Sequence, residues 1–166
     1  METVQKAILK ELLPAEPEVP PPSAKSLAAR GPMDHWSSPV VLERAAYLRK
    51  MARLGDGSAS ETLQEYPRHS VMLSVRLRSG VAELHEHFAD LFFVLEGRAT
   101  LVTGGSVEKA QTVAPGEIRG SAVVGGKSQE LRAGDAAHVP AGVPHQMLLA
   151  AESQLTCIVL KVQEND

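Results

Sequence analysis

Short apolar runs separated by glycine-bearing turns make up the chain from about residue 66 onward. Most of the runs are rich in valine, leucine or phenylalanine, and each is short enough for a single strand: SVMLSVRLR, LFFVLEG, RATLVTGG, SQELRAGD, AAHVPAG, PHQMLLA and LTCIVLKV. Many short strands divided by turns at such intervals predict an all-β sandwich or barrel. The sequence shows no self-similar period of roughly 20–50 residues, which disfavours a solenoid.

Upstream of the strands the apolar pattern changes to a helical one. Residues 1–13 predict a short amphipathic helix, because Val4, Ile8 and Leu12 are spaced about one turn apart. The stretch PAEPEVPPPS that follows cannot continue a helix and favours extended polyproline geometry. The first helix is therefore separated from the rest of the chain by a linker.

A stronger helix signal covers residues 39–54. Ser38 can cap this helix, Pro39 suits its first position and Gly55 suits its end. Four apolar residues lie on one face of the helix: Val41, Ala45, Leu48 and Met51. This stripe must pack on the outside of the barrel or on another subunit, and the stripe of the first helix has the same need. We therefore predict a homodimer.

The length of 166 residues is enough for one domain with its own core and marginal for two. We assign residues 1–65 to the N-terminal helices and the proline-rich linker, and residues 66–166 to one barrel domain. Apolar residues make up 43% of the chain and charged residues 22%, which is the balance of a soluble globular protein. A net charge of -3 gives no general attraction to nucleic acid or to anionic lipid.

Targeting and redox signals are sparse. No apolar stretch is long enough to span a bilayer, and the N-terminus lacks a signal-peptide core, so the predicted location is the cytoplasm. The lone cysteine, Cys157, excludes an intrachain disulfide framework and a paired-cysteine metal site. It lies within the apolar run of residues 155–160, which predicts a buried packing role.

Two histidines, His85 and His87, flank Glu86. On a strand, residues i and i+2 point to the same face, so both imidazoles would project together and Glu86 would point away. Two imidazoles aimed into one cavity make half of a metal site. The pair alone is weak support, because such pairs more often lie on a surface or pack within a core.

The second half of a site lies downstream, in GDAAHVPAGVPHQ. Pro140 and Gly142 suit a tight turn, and His145 enters the strand that follows. A turn of fixed geometry determines which face of the sheet His145 occupies. The two segments together therefore indicate a metal site more strongly than the histidine pair does alone.

Together these segments resemble the two motifs of the cupin superfamily. The matching residues are Gly80, His85, His87, the run LFFVLE and Gly97 for the first motif, and Gly134, Pro140, Gly142 and His145 for the second. The resemblance covers roughly residues 70–163. It implies a double-stranded β-helix, the cupin or jelly-roll barrel, preceded by one or two N-terminal helices and holding a metal inside one mouth.

The sequence departs from the family pattern at three places. Asp90 replaces the motif glutamate and lies closer to His87 than the family spacing; we expect it to ligate the metal directly or through a water, the alternative being a turn aspartate. Leu149 replaces a frequent asparagine, which makes that side of the pocket more apolar. Residues 106–124 have the composition of an inserted loop, which would lie at the barrel mouth.

The resemblance implies one divalent transition metal held by His85, His87, Asp90 and His145. Iron, manganese, zinc, nickel and copper all accept imidazole nitrogen beside a carboxylate, whereas calcium prefers more oxygen ligands. Four further residues are expected to line the pocket: Phe92, Val94, Met147 and Leu149. The predicted partner is a small organic molecule.

Two functions remain open at this point. The first is a metal-dependent enzyme of the dioxygenase, isomerase or lyase type, because a cupin barrel does not fix the reaction. The second is a metal-bearing module or sensor that binds a small molecule without catalysis. A plain scaffold with vestigial histidines is a third interpretation, disfavoured by the nearly intact ligand set. Arg76 and Arg78 are interpreted as solvated strand charges, unless one faces inward and anchors an anionic substrate.

Overall fold

A computed structural model of the chain describes Ser23 and residues 32–164. The predicted helix over residues 1–13 and most of the proline-rich stretch lie outside these residues. The described residues form one helix and twelve strands: α1 (Ser38–Leu54), β1 (Ser58–Tyr66), β2 (His69–Arg76), β3 (Ala82–His85), β4 (Phe88–Thr103), β5 (Ser106–Glu108), β6 (Gln111–Ala114), β7 (Glu117–Gly120), β8 (Ala122–Val124), β9 (Lys127–Arg132), β10 (Ala136–Val139), β11 (His145–Leu148) and β12 (Leu155–Gln163).

The strands form a curled antiparallel sheet. Ten of the described strands belong to it, in the order β1-β2-β12-β4-β11-β3-β7-β6, with β9 and β10 also paired to β4. The first half of β4 pairs with β12 and β10, and its second half pairs with β11 and β9. Because this one strand serves both halves, the sheet curls on itself. The predicted all-β double-stranded β-helix is therefore confirmed.

Apolar side chains that point inward from the curled sheet form its core. The buried members are Val94, Ala99, Leu101, Leu131, Val139, Met147, Leu155, Cys157 and Val159. Full burial of one large aliphatic side chain contributes about 1.5–3 kcal/mol, so this cluster is a major source of stability. Leu155, Cys157 and Val159 alternate along β12, so the period of two that indicated a strand also identifies the core face.

Helix α1 packs against β1 and β2. Ala45 and Leu48 of the predicted apolar stripe are buried in this contact, whereas Met51 remains 40% exposed. Arg44 is also buried, and its Nε donates a hydrogen bond to Glu61 Oε2 on β1 at 2.7 Å. Much of the stripe is thus covered within the chain. The homodimer remains a prediction, which light scattering at micromolar concentration would check.

The ends of α1 differ slightly from the sequence-based expectation. The helix begins at Ser38, so Ser37 occupies the N-cap, and its side chain makes no capping hydrogen bond. Pro39 lies in the first turn and Gly55 follows the last residue, as predicted. No helix within residues 32–164 has the length and hydropathy that a membrane span requires.

Two other segments also differ from expectation. The first strand begins at Ser58, well before the predicted start near residue 66. Its sequence is mostly polar because α1 covers only one of its faces, so the apolar signal is weak. Residues 106–124, predicted as an inserted loop, instead form the strands β5 to β8. Because β7 pairs with β3 and β6 pairs with β7, this segment extends the sheet.

Gly97 lies where β4 passes from one half of the sheet to the other. Its φ is +81°, and an added Cβ would lie 1.9 Å from the carbonyl oxygen of Gln154, whereas Gly134, with φ +93°, has open space around it. Alanine at either glycine would be strained, because both positions have a left-handed backbone, but only Gly97→Ala also brings its Cβ against the backbone of Gln154. We expect it to lower the free energy of unfolding by about 2 kcal/mol more than Gly134→Ala in urea denaturation. Equal losses would contradict this account of the bend.

Candidate metal centre

Three of the predicted ligands, His85, Asp90 and His145, meet inside the curled sheet. His85 ends β3, Asp90 lies near the start of β4, and His145 begins β11. Strand β11 pairs with β3, with His145 opposite Glu83, whereas Asp90 lies opposite Val139 and Lys161 in the other half of the sheet. The curl of the sheet therefore brings the three side chains together. They are only 3%, 5% and 5% exposed, respectively. All three line one cavity of about 280 Å³.

The Nε2 atoms of both histidines face the same carboxylate. Asp90 Oδ2 is 3.2 Å from His85 Nε2 and 3.3 Å from His145 Nε2. Glu83 lies two residues before His85 on β3, and its Oε2 is 3.5 Å from His85 Nε2. One potential ligand atom from each of Glu83, His85 and His145 lies within 4.8 Å of the other two. Two imidazoles and two carboxylates thus surround one small volume.

The opposite nitrogen of each ring is held by the protein. His85 Nδ1 is 2.6 Å from Glu117 Oε2, and His145 Nδ1 is 3.1 Å from the carbonyl oxygen of Val143. Each of these oxygens accepts a hydrogen bond, so each Nδ1 carries the proton in the neutral ring. The Nε2 lone pairs are then directed into the cavity. This arrangement, with one nitrogen bonded to a carboxylate or carbonyl and the other free, is typical of metal-ligating histidines.

The charged groups of the site shift one another's pKa values strongly. Burial disfavours the imidazolium of His85, but Asp90 and Glu83 outweigh this and raise the pKa of His85 to about 9. Burial likewise opposes ionisation of Glu83, yet His85 and two arginines lower its pKa to about 2. The two histidines hold the pKa of Asp90 far below its ordinary value, against its own burial. A metal entering the site therefore competes with a proton on His85.

Three cationic side chains lie beside the carboxylates. Lys161 Nζ is 3.2 Å from Asp90 Oδ1, and Arg76 Nη2 is 3.5 Å from Glu83 Oε1. Arg119 Nη2 is 3.7 Å from Glu83 Oε2. All three cations line the cavity. Arg76 is therefore not the solvated strand charge that its sequence position suggested, because β2 turns this residue inward.

His87 lies apart from the other predicted ligands. Strand β3 ends at His85, and the next two residues form a bend, so the alternation that would place both imidazoles on one face stops before His87. The ring of His87 lies against Gly116, where an added Cβ would come within 2.6 Å of its Cδ2. It is not among the side chains that line the cavity in the described part of the chain.

The four residues expected to line the pocket divide into two pairs. Phe92 and Met147 line the cavity. Val94 is instead buried in the apolar core, and Leu149 packs against that core. Cys157 also reaches the cavity wall, where burial raises the pKa of its thiol to about 12. It remains protonated at neutral pH and is a poor ligand or nucleophile.

Two carboxylates of the site were missed by the sequence analysis. Glu83 could have been found, because it precedes His85 by two residues on a predicted strand and so shares its face. Glu117 had no local signal: it reaches His85 because β7 pairs with β3, with His85 opposite Glu117. That pairing was hidden by the interpretation of residues 106–124 as a loop.

The donor set fits a divalent transition metal. Imidazole nitrogen suits zinc, copper, iron and nickel, and carboxylate oxygen extends the range towards manganese. His85 Nε2 and Asp90 Oδ1 are among the buried polar atoms of the described residues that make no hydrogen bond, and each lies 3.2 Å from an oppositely charged group, Asp90 and Lys161 respectively. A bound ion would give each of them the closer partner that buried polar atoms normally have.

Glu117 is expected to matter for metal binding without touching the metal. Replacing it by alanine frees His85 Nδ1 from its carboxylate partner, which leaves the ring free to turn. Loss of such a partner typically lowers metal affinity about 10–100-fold. We expect a loss of this size for Glu117→Ala in competition with a chromophoric chelator. Glu130→Ala, on an exposed part of β9, is the matched control and should change nothing. An unchanged affinity in Glu117→Ala would contradict the proposed role.

Comparisons with known proteins concern the fold. The sequence matches no protein-family model and no curated protein. Among solved structures, TT1209 from Thermus thermophilus is 19% identical, with a TM-score of 0.49 over 68% of this chain and 93% of that chain. A double-stranded β-helix domain protein from Klebsiella pneumoniae is 16% identical, with a TM-score of 0.48 over 65% of this chain and 78% of that chain. The cupin domain of Cnp3 from Schizosaccharomyces pombe is 9% identical, with a TM-score of 0.48 over 64% of this chain and 65% of that chain.

The chain resembles the cupin superfamily both in its motif residues and in its curled antiparallel sheet. None of the three solved structures bears on the ligand or the reaction of this chain. Any function must therefore be argued from the site itself.

Proposed function

We propose that this cupin-fold chain binds one divalent transition metal in its cavity and acts there on a small organic molecule as a metal-dependent enzyme. His85 and His145 would be the imidazole ligands, with Asp90 and Glu83 as carboxylates. The observation that carries the proposal is the orientation of the two rings. Each Nδ1 has a protein acceptor, and each Nε2 faces the same oxygen of Asp90. Rings held in this way need little rearrangement to bind a metal.

The metal and the surrounding residues would have different roles at such a site. A bound metal would polarise a substrate oxygen as a Lewis acid. Glu117 fixes the ring of His85, and the apolar side chains of Phe92 and Met147 limit the water in the cavity. Lys161 and the two arginines offset the carboxylate charges. Isomerase and lyase chemistry use a Lewis acid of this kind, and dioxygenase chemistry in addition needs a redox-active metal such as iron.

A second function is favoured by the cations. Lys161, Arg76 and Arg119 already neutralise the carboxylates, so the cavity could hold a small molecule without catalysis. A binding or sensor module of this kind would show a ligand-induced rise in melting temperature but no metal-dependent turnover. A panel of diketones, thiols, aromatics and sugar acids, each assayed for turnover and for thermal shift, separates the two functions.

Elemental analysis tests the proposal that a metal is bound. Untagged protein would be stripped with a chelator, reconstituted separately with iron(II), manganese and zinc, and dialysed. We expect about one ion per chain with at least one of these metals, because the two imidazoles and two carboxylates are already gathered. Protein that retains no metal after any reconstitution would contradict the proposal and leave the metal-free binding module.

A further inference from the structure

We infer that the ligand of the cavity is a small organic acid, with its anionic group beside Lys161, Arg76 and Arg119 and a short apolar tail against the apolar side chains of the same cavity. This inference rests on the proposed metal site and names the substrate class for it. It is carried by the placement of the three cations, by the balance of charge in the cavity and by the composition of the remaining wall.

The three cations come from separate parts of the fold. Lys161 lies on β12, Arg76 on β2 and Arg119 on β7, and all three line the same cavity. The Nζ of Lys161 is buried and makes no hydrogen bond in the described part of the chain. An ammonium group carries three donors, so this group can bind a ligand in addition to its ion pair with Asp90. Its separation of 3.2 Å from Asp90 Oδ1 places that donor beside the proposed ligands.

The carboxylates of the cavity are already matched by cations before any metal is added. Glu83 and Asp90 line it together with Arg76, Arg119 and Lys161, whereas Glu117, which pairs with Arg119, does not line it in the described part of the chain. A divalent ion bound to neutral imidazoles would leave this small, partly enclosed space with a surplus of positive charge. The metal would also take over the carboxylates that now pair with the cations. An anionic ligand reduces this surplus, and a neutral ligand does not.

The rest of the wall is mostly apolar. Its apolar side chains are Met72, Phe92, Met147, Leu155, Cys157 and Val159, and its uncharged polar side chains are Ser60, Ser74 and Gln146. A sugar would find few partners for its hydroxyl groups beyond Ser60 and Ser74, because the Gln146 amide already bonds Gly80 and Val123, whereas a hydrocarbon tail would be buried well. The cavity volume of about 280 Å³ limits the ligand to a compact molecule. Together with the three cations, these constraints favour a compact carboxylic acid with an apolar tail, such as a short branched or aromatic one.

Calorimetric titration with matched acids and amides tests the inference. The probes are isovalerate against isovaleramide and benzoate against benzamide, which share shape and differ in charge. With zinc-loaded protein we expect at least one acid to bind about tenfold or more tightly than its amide, equivalent to about 1.4 kcal/mol. Lys161→Gln and Arg76→Gln should each reduce that preference. Arg132→Gln, on the exposed end of β9, is the control and should preserve it.

Zinc content, measured on every sample, separates the two possible failures. If zinc is bound and neither acid binds more tightly than its amide, the inference is overturned and the proposed metal site stands. If the wild-type protein holds no zinc or other reconstituted metal, the proposed function fails and the inference fails with it. The comparison of acids with amides in the wild-type protein tests the inference by itself, even if a substituted protein does not fold.

Discussion

His85→Ala and His145→Ala should each lower the affinity of the protein for zinc by about a thousandfold, or about 4 kcal/mol. Each change removes one of the two imidazole nitrogens that face Asp90 Oδ2. The carboxylates that remain are hard oxygen ligands, which hold zinc much less strongly than a set that includes imidazole. Competition with a chromophoric chelator at pH 7.5 measures the loss.

The other histidines provide matched controls. His138 lies on β10 and is exposed to solvent, with Nε2 3.4 Å from Glu164, so His138→Ala should leave zinc affinity unchanged. His87→Ala is more informative, because the motif resemblance includes His87 among the ligands and the structure places its ring against Gly116. We expect its effect to be less than about tenfold. A loss as large as that of His145→Ala would show that His87 ligates and that the segment after β3 rearranges.

The affinity of the chelator-treated protein for zinc should fall about tenfold for each pH unit between pH 8 and pH 6. Asp90 and Glu83, acting against burial, raise the pKa of His85 in the folded protein to about 9, above its ordinary value of 6.5. Throughout this range a proton must therefore leave His85 before zinc binds. Lower pH favours the proton, so the affinity decreases as the pH falls. An affinity that stays constant from pH 6 to pH 8 would contradict histidine ligation.

Replacing Asp90 by asparagine gives the control for that pH dependence. The change removes the carboxylate that raises the pKa of His85 most, while Glu83 still raises it, so the fall in zinc affinity between pH 8 and pH 7 should become shallower than in the wild-type protein. The raised pKa of His85 also affects the stability of the wild-type protein. Because the folded-state pKa is raised, protonated His85 stabilises the zinc-free fold below about pH 6.5, and this contribution is lost as the pH rises through about 9.

Much of the fold could be predicted from the sequence because most strands bury one apolar face. The runs around β2, β4, β11 and β12 were identified by their apolar content, and α1 by its start and stop signals. Strand β1 was missed because its sequence, SASETLQEY, is mostly polar. The strands over residues 106–124 were missed because they are short and largely exposed.

The candidate site was only partly predictable. His145 was identified by the turn before it, and Asp90 by its spacing from Gly97. Glu83 was overlooked although strand alternation places it on the face of His85. Glu117 depends on a pairing between strands that are distant in sequence, and a local pattern carries no information on such a pairing. His87 was predicted as a ligand because its spacing matches the motif, but the strand ends at His85, two residues before it, and its ring lies elsewhere.

X-ray absorption at the zinc edge of the zinc-loaded protein tests the central claim most directly, because it reports the atoms bound to the metal. The account predicts a coordination shell of nitrogen and oxygen with scattering from two imidazole rings, and the loss of one ring in His145→Ala. Zinc bound without imidazole scattering, or a spectrum that His145→Ala leaves unchanged, would contradict the claim that His85 and His145 hold the metal.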